Sequence, residues 1–203
     1  MAQVSVLRAR PALRRLAPLH RCLSTAQPPS PYDFLPSAPA ISLTSTDIAE
    51  GSKLAPPFLS AAFGVEGGED RSPALSWGPA PEGTKSFVVS CYDPDAPTVS
   101  GFWHWVMYDI PASVTSLAAG AGDASGANVP AGAKQLKNDA GMVGFLGAAP
   151  PPGHREHRYI FAVTALPVEN LPIDENTSNA VAHFNMFGAG VLGRGILTAV
   201  YGR

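Results

Sequence analysis

Two short stretches of this chain hold most of the side chains that could do chemistry together. Asp93-Pro94-Asp95-Ala96-Pro97 is followed closely by Trp103-His104-Trp105, and a later run, Pro150-Pro151-Pro152-Gly153, leads to His157-Arg158-Tyr159. Between them they bring carboxylates, imidazoles and a phenol into strongly apolar surroundings. Phe87, Val88 and Val89 run into the first stretch, and Ile160, Phe161 and Val163 run out of the second. Polar groups at the ends of buried strands are a common way to build a small-molecule pocket. Imidazoles and a phenol are hydrogen-bond donors suited to an anion. A carboxylate such as Asp93 can raise a neighbouring histidine's pKa and fix its tautomer, or accept from a ligand ammonium group. Prolines hold such loops with little conformational freedom left to lose on binding.

Other chemistries fit less well. Asp93, His104 and His157 have the composition of a two-histidine, one-carboxylate metal triad. The adjacent Asp95 and the proline clusters point instead to a rigid anion pocket, and no further ligand is apparent, so no metal site is assigned. Gly188-Ala189-Gly190-Val191-Leu192-Gly193 matches a dinucleotide fingerprint. It follows a helical stretch where a strand is required, and too little chain remains for the ribose-binding acid. There is no nucleophile elbow, P-loop or zinc-protease motif. No side chain reads as a nucleophile with a base behind it, so no catalytic residue and no cofactor are expected.

The elements that must position these groups are short. Gly 20 and Pro 21 in 203 residues favour many strands joined by turns over a helical bundle. With 45% hydrophobic and 15% charged residues, the chain can bury one good core. Residues 41–46 and 72–77 read as strands, and 85–92 is the clearest buried one. Residues 103–110 form another, ended by Pro111; alternation puts Trp103, Trp105 and Met107 on one face and His104 on the other. Trp105 is therefore expected in the core. Residues 157–166 form a third strong strand, with His157 and Tyr159 on one face and Arg158 opposite. Residues 116–137, rich in Ala and Gly, read as a long loop. The one credible helix is 179–187, with Ala180, Phe184 and Phe187 as its apolar face, before a terminal strand at 195–201. The expected fold class is mainly β: two packed sheets with a short helix near the C-terminus.

The N-terminal region differs from the rest. Residues 1–32 hold Arg8, Arg10, Arg14, Arg15 and Arg21 and no acid, with leucines at 13, 16 and 19 in a crude amphipathic spacing. This is the profile of a transit peptide for mitochondria or another organelle, with a cytoplasmic chain carrying a disordered leader as the alternative. The division expected is a leader over 1–26, a Pro-rich linker over 27–40 and one domain over 41–203. From residue 33 on there are nine Lys and Arg against sixteen Asp and Glu, a net charge of −7, and no basic stripe, which argues against nucleic acid. No apolar run is long enough to span a membrane as a helix. Cys91, without a partner once Cys22 is removed, reads as a small buried hydrophobe.

The same motifs in the same order resemble the signature regions of the phosphatidylethanolamine-binding protein family. The match is closer to its bacterial-type branch, YbhB/YbcL or Raf-kinase-inhibitor-like, and covers about residues 40–203. Ser72-Pro73-Ala74-Leu75-Ser76-Trp77 and the Leu197 to Arg203 ending belong to it as well. The resemblance implies a β-sandwich of a large and a small sheet, with a pocket at one edge for phosphate-like anions and phospholipid headgroups. It implies that Asp93, His104, Pro151, His157 and Tyr159 line that pocket while Asp95, Pro97 and Arg158 brace it. It also implies a cis Ala96–Pro97 bond. Two positions depart from the branch: Gly190 replaces a histidine, and Ala148-Ala149 replaces Gly-Pro, both expected to alter the pocket rim. Two functional classes stay open. One is a binding or regulatory protein for a phosphate-type anion or phosphoethanolamine-like headgroup, with a kinase or protease as a protein partner and a homodimer as an assembly. The other is a hydrolase using the Asp/His cluster for acid–base or metal-assisted hydrolysis.

Overall fold

The computed structural model describes residues 28–203, so the Arg-rich leader lies outside the described residues. In chain order the strands are β1 (Leu43–Thr44), β2 (Leu75–Trp77), β3 (Ser86–Asp93), β4 (Phe102–Pro111), β5 (Ser116–Leu117), β6 (Lys134–Gln135), β7 (His157–Leu166) and β8 (Gly193–Tyr201). One α-helix, α1 (Asn179–Ala189), precedes β8. The pairings are antiparallel and make two sheets: a small one in the order β1-β2-β5 and a large one in the order β6-β4-β3-β7-β8. The mainly β sandwich expected from the turn-rich composition is the architecture observed.

Central strands β3 and β7 are near-continuous apolar runs because both of their faces are covered. On the inner face, Phe87, Val89, Cys91, Phe161 and Val163 pack against Leu43, Leu75, Trp77 and Leu117 of the small sheet. On the outer face, Val88, Val106, Tyr108 and Leu166 pack against Ala182 and Met186 of α1. Residues 28–40 extend that outer layer. Pro31–Phe34 form a short 3-10 helix, and the Tyr32 hydroxyl lies 3.4 Å from Ser90 Oγ. Arg158 Nη1 donates to the Pro28 carbonyl at 2.6 Å, and the Arg194 N–H donates to the Pro39 carbonyl at 2.9 Å. The Pro-rich stretch is thus fastened to the sheet at both ends.

Two facial assignments are corrected. Cys91 pairs with Trp105 while its neighbour Tyr92 pairs with Trp103, so β4 carries an extra residue, His104, at a β-bulge. A bulge sets two successive residues against one on the partner strand and breaks the alternation. Trp103 therefore turns to the outer face, where it stacks on His183 with ring centroids 3.9 Å apart. His104 and Trp105 both serve the inner face, His104 against Tyr159 and Trp105 in the core. The helix is turned as well. Asn179, Ala182 and Met186 are its buried positions, whereas Phe184 and Phe187 are 74% and 59% exposed. Small Ala182 lets the helix approach the sheet closely. Asn179 is held there because its Nδ2 donates to the Lys137 carbonyl at 3.0 Å and to Asp139 Oδ1 at 2.9 Å.

His183 illustrates what this packing does to a titratable group. Its Nδ1–H donates to the Asn179 carbonyl at 2.8 Å, and burial lowers its pKa to about 4. The unfolded chain takes up that proton near pH 6.5, so stability present above that value is lost as pH falls toward 4. The expected loss is on the order of 3 kcal/mol. Urea unfolding at pH 4.5 and 7 should show it for the wild type and show much less of it for His183→Phe. Equal pH slopes in the two proteins would refute the assignment.

Candidate functional site

The first motif becomes a closed loop between β3 and β4. Asp93 Oδ1 accepts the N–H groups of Asp95 at 2.7 Å and Ala96 at 3.0 Å, the turn that Asp side chains favour. The Thr98 hydroxyl donates to the Gly101 carbonyl, and the Tyr92 hydroxyl donates to the Ser100 carbonyl at 2.8 Å. Gly101 has φ +67, and a Cβ there would run into the Tyr92 hydroxyl. The expected cis Ala96–Pro97 bond is absent: no peptide is cis among the described residues. The Ala96 carbonyl instead accepts the Thr98 N–H at 2.7 Å, a tight turn about Pro97 that the φ of a trans proline already suits.

This loop, the 149–151 segment and the start of β7 enclose a cavity of about 240 Å³. Asp93, His104, Pro151, His157 and Tyr159 all line it, and so does Pro97. Asp95 and Arg158 lie behind it. Asp95 Oδ2 accepts from the Arg158 N–H at 3.0 Å and from Arg158 Nε at 2.7 Å; Oδ1 accepts from Arg158 Nη2 at 3.1 Å and from Arg155 at 2.7 Å. Burial pushes the Asp95 carboxyl up, but these bonds from Arg158 outweigh it and hold the pKa below the usual carboxylate value. Gly190 is not at the cavity: it caps α1 on the outer side of the sheet. Ala149 is at the wall, so only that departure touches the pocket.

His157 is tied through both ring nitrogens and His104 through one. His157 Nδ1–H donates to Asp93 Oδ2 at 2.6 Å in a fully buried pair. His104 Nδ1–H donates to the Leu146 carbonyl at 2.8 Å, which leaves Nε2 for the cavity. Burial lowers the His104 pKa, so near neutral pH that Nε2 is an acceptor, not the donor expected from residue type. Burial, then the charge of Asp93, raises the Tyr159 pKa strongly; its phenol stays protonated as a donor. Among the described residues no group of three His, Cys, Asp or Glu is placed to hold a metal ion.

Several contributors were missed. His154 Nδ1 lies 2.6 Å from His157 Nε2, extending the pair into an Asp93–His157–His154 chain that reaches solvent. The spacing of His154, in the turn before β7, and His157 at the start of that strand is its only signal in the sequence. Phe102 and Thr98 sit inside the first motif, whereas Phe63, which also lines the cavity, comes from a distant loop with nothing to mark it.

Residues 44–202 match the profile of a family described as phosphatidylethanolamine-binding protein. The chain belongs to that family. Among its relatives, the UPF0098 protein YbcL of Escherichia coli is 46% identical over 168 residues, covering 83% of this chain and 91% of YbcL. YbhB of the same organism is 46% identical over 144 residues, 71% of this chain and 89% of YbhB. The crystal structure of E. coli YbcL superposes with a TM-score of 0.77 at 45% identity, over 80% of this chain and 98% of that one. CT736 of Chlamydia trachomatis, a phosphatidylethanolamine-binding protein homologue, superposes at 0.67 and 28% identity, over 82% of this chain and 99% of its own. Phosphatidylethanolamine-binding proteins are ligand-binding proteins. No described helix is long and apolar enough to cross a membrane.

Proposed function

We propose that the cavity takes one phosphate-type group, free or as the headgroup of a phospholipid, and that the protein acts by binding rather than by turnover. The observation that carries this is the convergence of a protonated Tyr159, a carboxylate-bound His157 and His104 on one cavity with otherwise apolar walls. Apolar walls strengthen the few hydrogen bonds a ligand makes there. Asp93 is committed to His157 and to two backbone N–H groups, so its charge is largely answered before a ligand arrives. It can still meet the ammonium of an ethanolamine headgroup. A kinase or protease regulated through this site, and a homodimer, belong to the same reading.

Binding requires one more proton than the free site holds. His104 is neutral and presents a lone pair; a bound phosphate needs a proton on that nitrogen or brings its own as a monoanion. Affinity should therefore rise as pH falls through the histidine range. Removing His104 or His157 should weaken binding by about 1.5–3 kcal/mol, and removing both by less than the sum, because they share a ligand. Titration of phosphoethanolamine and phosphate into wild type, His104→Ala, His157→Ala and the double variant at pH 6 and 8 tests this. Both imidazoles are buried, so circular dichroism must first show folded variants. Four proteins that bind alike would end the reading.

The Asp93–His157 pair at 2.6 Å is the one observation that favours a hydrolase. The Thr98 hydroxyl, the aliphatic alcohol at the cavity, donates to the Gly101 carbonyl and not to an imidazole. Phosphatase or esterase turnover that disappears in His157→Ala would move the assignment to that class. The leader adds a separate expectation: native protein should begin between about Ser24 and Ser30 and be found in mitochondria or another organelle. N-terminal sequencing that returns Met1 or Ala2 removes it.

A further inference from the structure

We propose that the outer face of the large sheet holds a second binding site, separate from the edge cavity, for a short aliphatic hydroxy acid. An open groove along the strap of residues 28–40 adjoins a smaller, more enclosed chamber. The outer one, of about 330 Å³, and the inner one, of about 70 Å³, share Tyr32, Leu35, Pro36 and Arg194. The strap is no loose tail, since Arg158 and Arg194 hold its two ends.

Two polar groups in these chambers have unspent capacity. His183 lines the inner chamber. Its Nδ1 proton is given to Asn179, and its Nε2 is buried with no hydrogen-bond partner from the protein. Trp103, stacked at 3.9 Å, fixes the plane of the ring. A neutral imidazole nitrogen of this kind accepts an O–H or N–H, and a buried acceptor left unpaired is costly. Arg194 borders both chambers. Its guanidinium packs 5.9 Å from the Tyr32 ring centroid and has no carboxylate partner among the described residues. A planar guanidinium fork fits a carboxylate through two parallel hydrogen bonds.

Shape and charge narrow the class. The inner chamber also meets Thr164, Met186, Phe187 and Val191, so apart from the Thr164 hydroxyl the body between the two polar ends is apolar. At about 70 Å³ it is too small for an aromatic ring, which occupies an engineered cavity of about 150 Å³. An alkyl chain with a terminal hydroxyl fits. Asp33 lines the outer chamber; one of its oxygens accepts the Ser30 N–H at 3.0 Å, and its charge disfavours a dianion. One carboxylate at Arg194 and one hydroxyl at His183 satisfy both groups.

4-Hydroxybutyrate is the probe, with butyrate lacking the donor and 1,4-butanediol lacking the acid. Titrations of full-length protein are followed by the ring nitrogens of histidine in ¹⁵N-labelled samples. The hydroxy acid should move the His183 Nε2 resonance saturably, and each comparator should bind about tenfold more weakly or worse. Arg194→Gln should lose about tenfold in affinity, while His157→Ala should bind as wild type does. His183→Phe should abolish binding, and Arg194→Gln keeps the test alive if that variant does not fold. The proposal is overturned if His183 does not respond, if the three probes bind equally, or if a His157→Ala protein shown to be folded by circular dichroism loses binding and so assigns it to the edge cavity.

Discussion

Replacing Asp95 by Ala should cost about 3–5 kcal/mol of stability, because it strands a buried cation. Arg158 is 7% exposed and gives Asp95 its backbone N–H and both ends of its guanidinium. Without the carboxylate, those donors have neither water nor a partner. The same oxygens position the loop whose next turn sets Asp93 against His157, so ligand affinity should fall together with stability. Asp95→Asn, which keeps acceptor geometry at one oxygen, should lose less. The pH dependence has a definite sign. The folded pKa of Asp95 is depressed, so its contribution is present above the ordinary carboxylate value and lost as pH falls through the folded one. The gap between wild type and Asp95→Ala should narrow in strong acid. Denaturant melts at pH 7 and pH 3 measure both, and a loss under 1 kcal/mol at pH 7 would mean that Arg158 finds other partners.

The strands that carry the site were legible because their apolar runs are long and bounded. Residues 157–166 coincide with β7, and its two-residue period separates His157 and Tyr159 from Arg158 as the side-chain roles require. The reading failed where a local event interrupts a period. A bulge at His104 leaves no mark in composition, yet it moves Trp103 to the other face of the sheet. On α1 the largest apolar residues were mistaken for the buried ones. The helix packs on the sheet through Ala182 and Met186. The five residues proposed to line the pocket do share one cavity. What sequence could not convey is protonation: that the Leu146 carbonyl takes the His104 proton and burial keeps the ring neutral depends on a loop remote in the chain. The cis bond expected at Pro97 failed for the related reason that backbone contacts around Thr98 already close the loop.

Truncating Trp105 to Ala should likewise cost about 3–5 kcal/mol, and the reason survives the corrected face assignment. Its burial never depended on lying opposite His104. The indole is fully buried beside Cys91, the residue across the ladder from it. It meets Phe145 edge to face at 5.9 Å, and its Nε1–H donates to Gln135 Oε1 at 2.7 Å. Packing around it is close: a Cβ on Gly122 would come within 3.0 Å of the indole. Such surroundings cannot collapse fully into the space a missing ring leaves, so a cavity penalty adds to the lost transfer energy. Trp105→Phe separates the parts, since it keeps much of the ring and gives up the hydrogen bond; it should cost roughly 1–3 kcal/mol. Because His104 is the adjacent residue of the bulge, Trp105→Ala should also weaken phosphate binding, whereas Trp103→Ala on the outer face should leave binding closer to wild type. Urea melts and phosphate titrations of the three variants decide the matter: a Trp105→Ala protein within 1 kcal/mol of wild type would show that this core can repack around the loss.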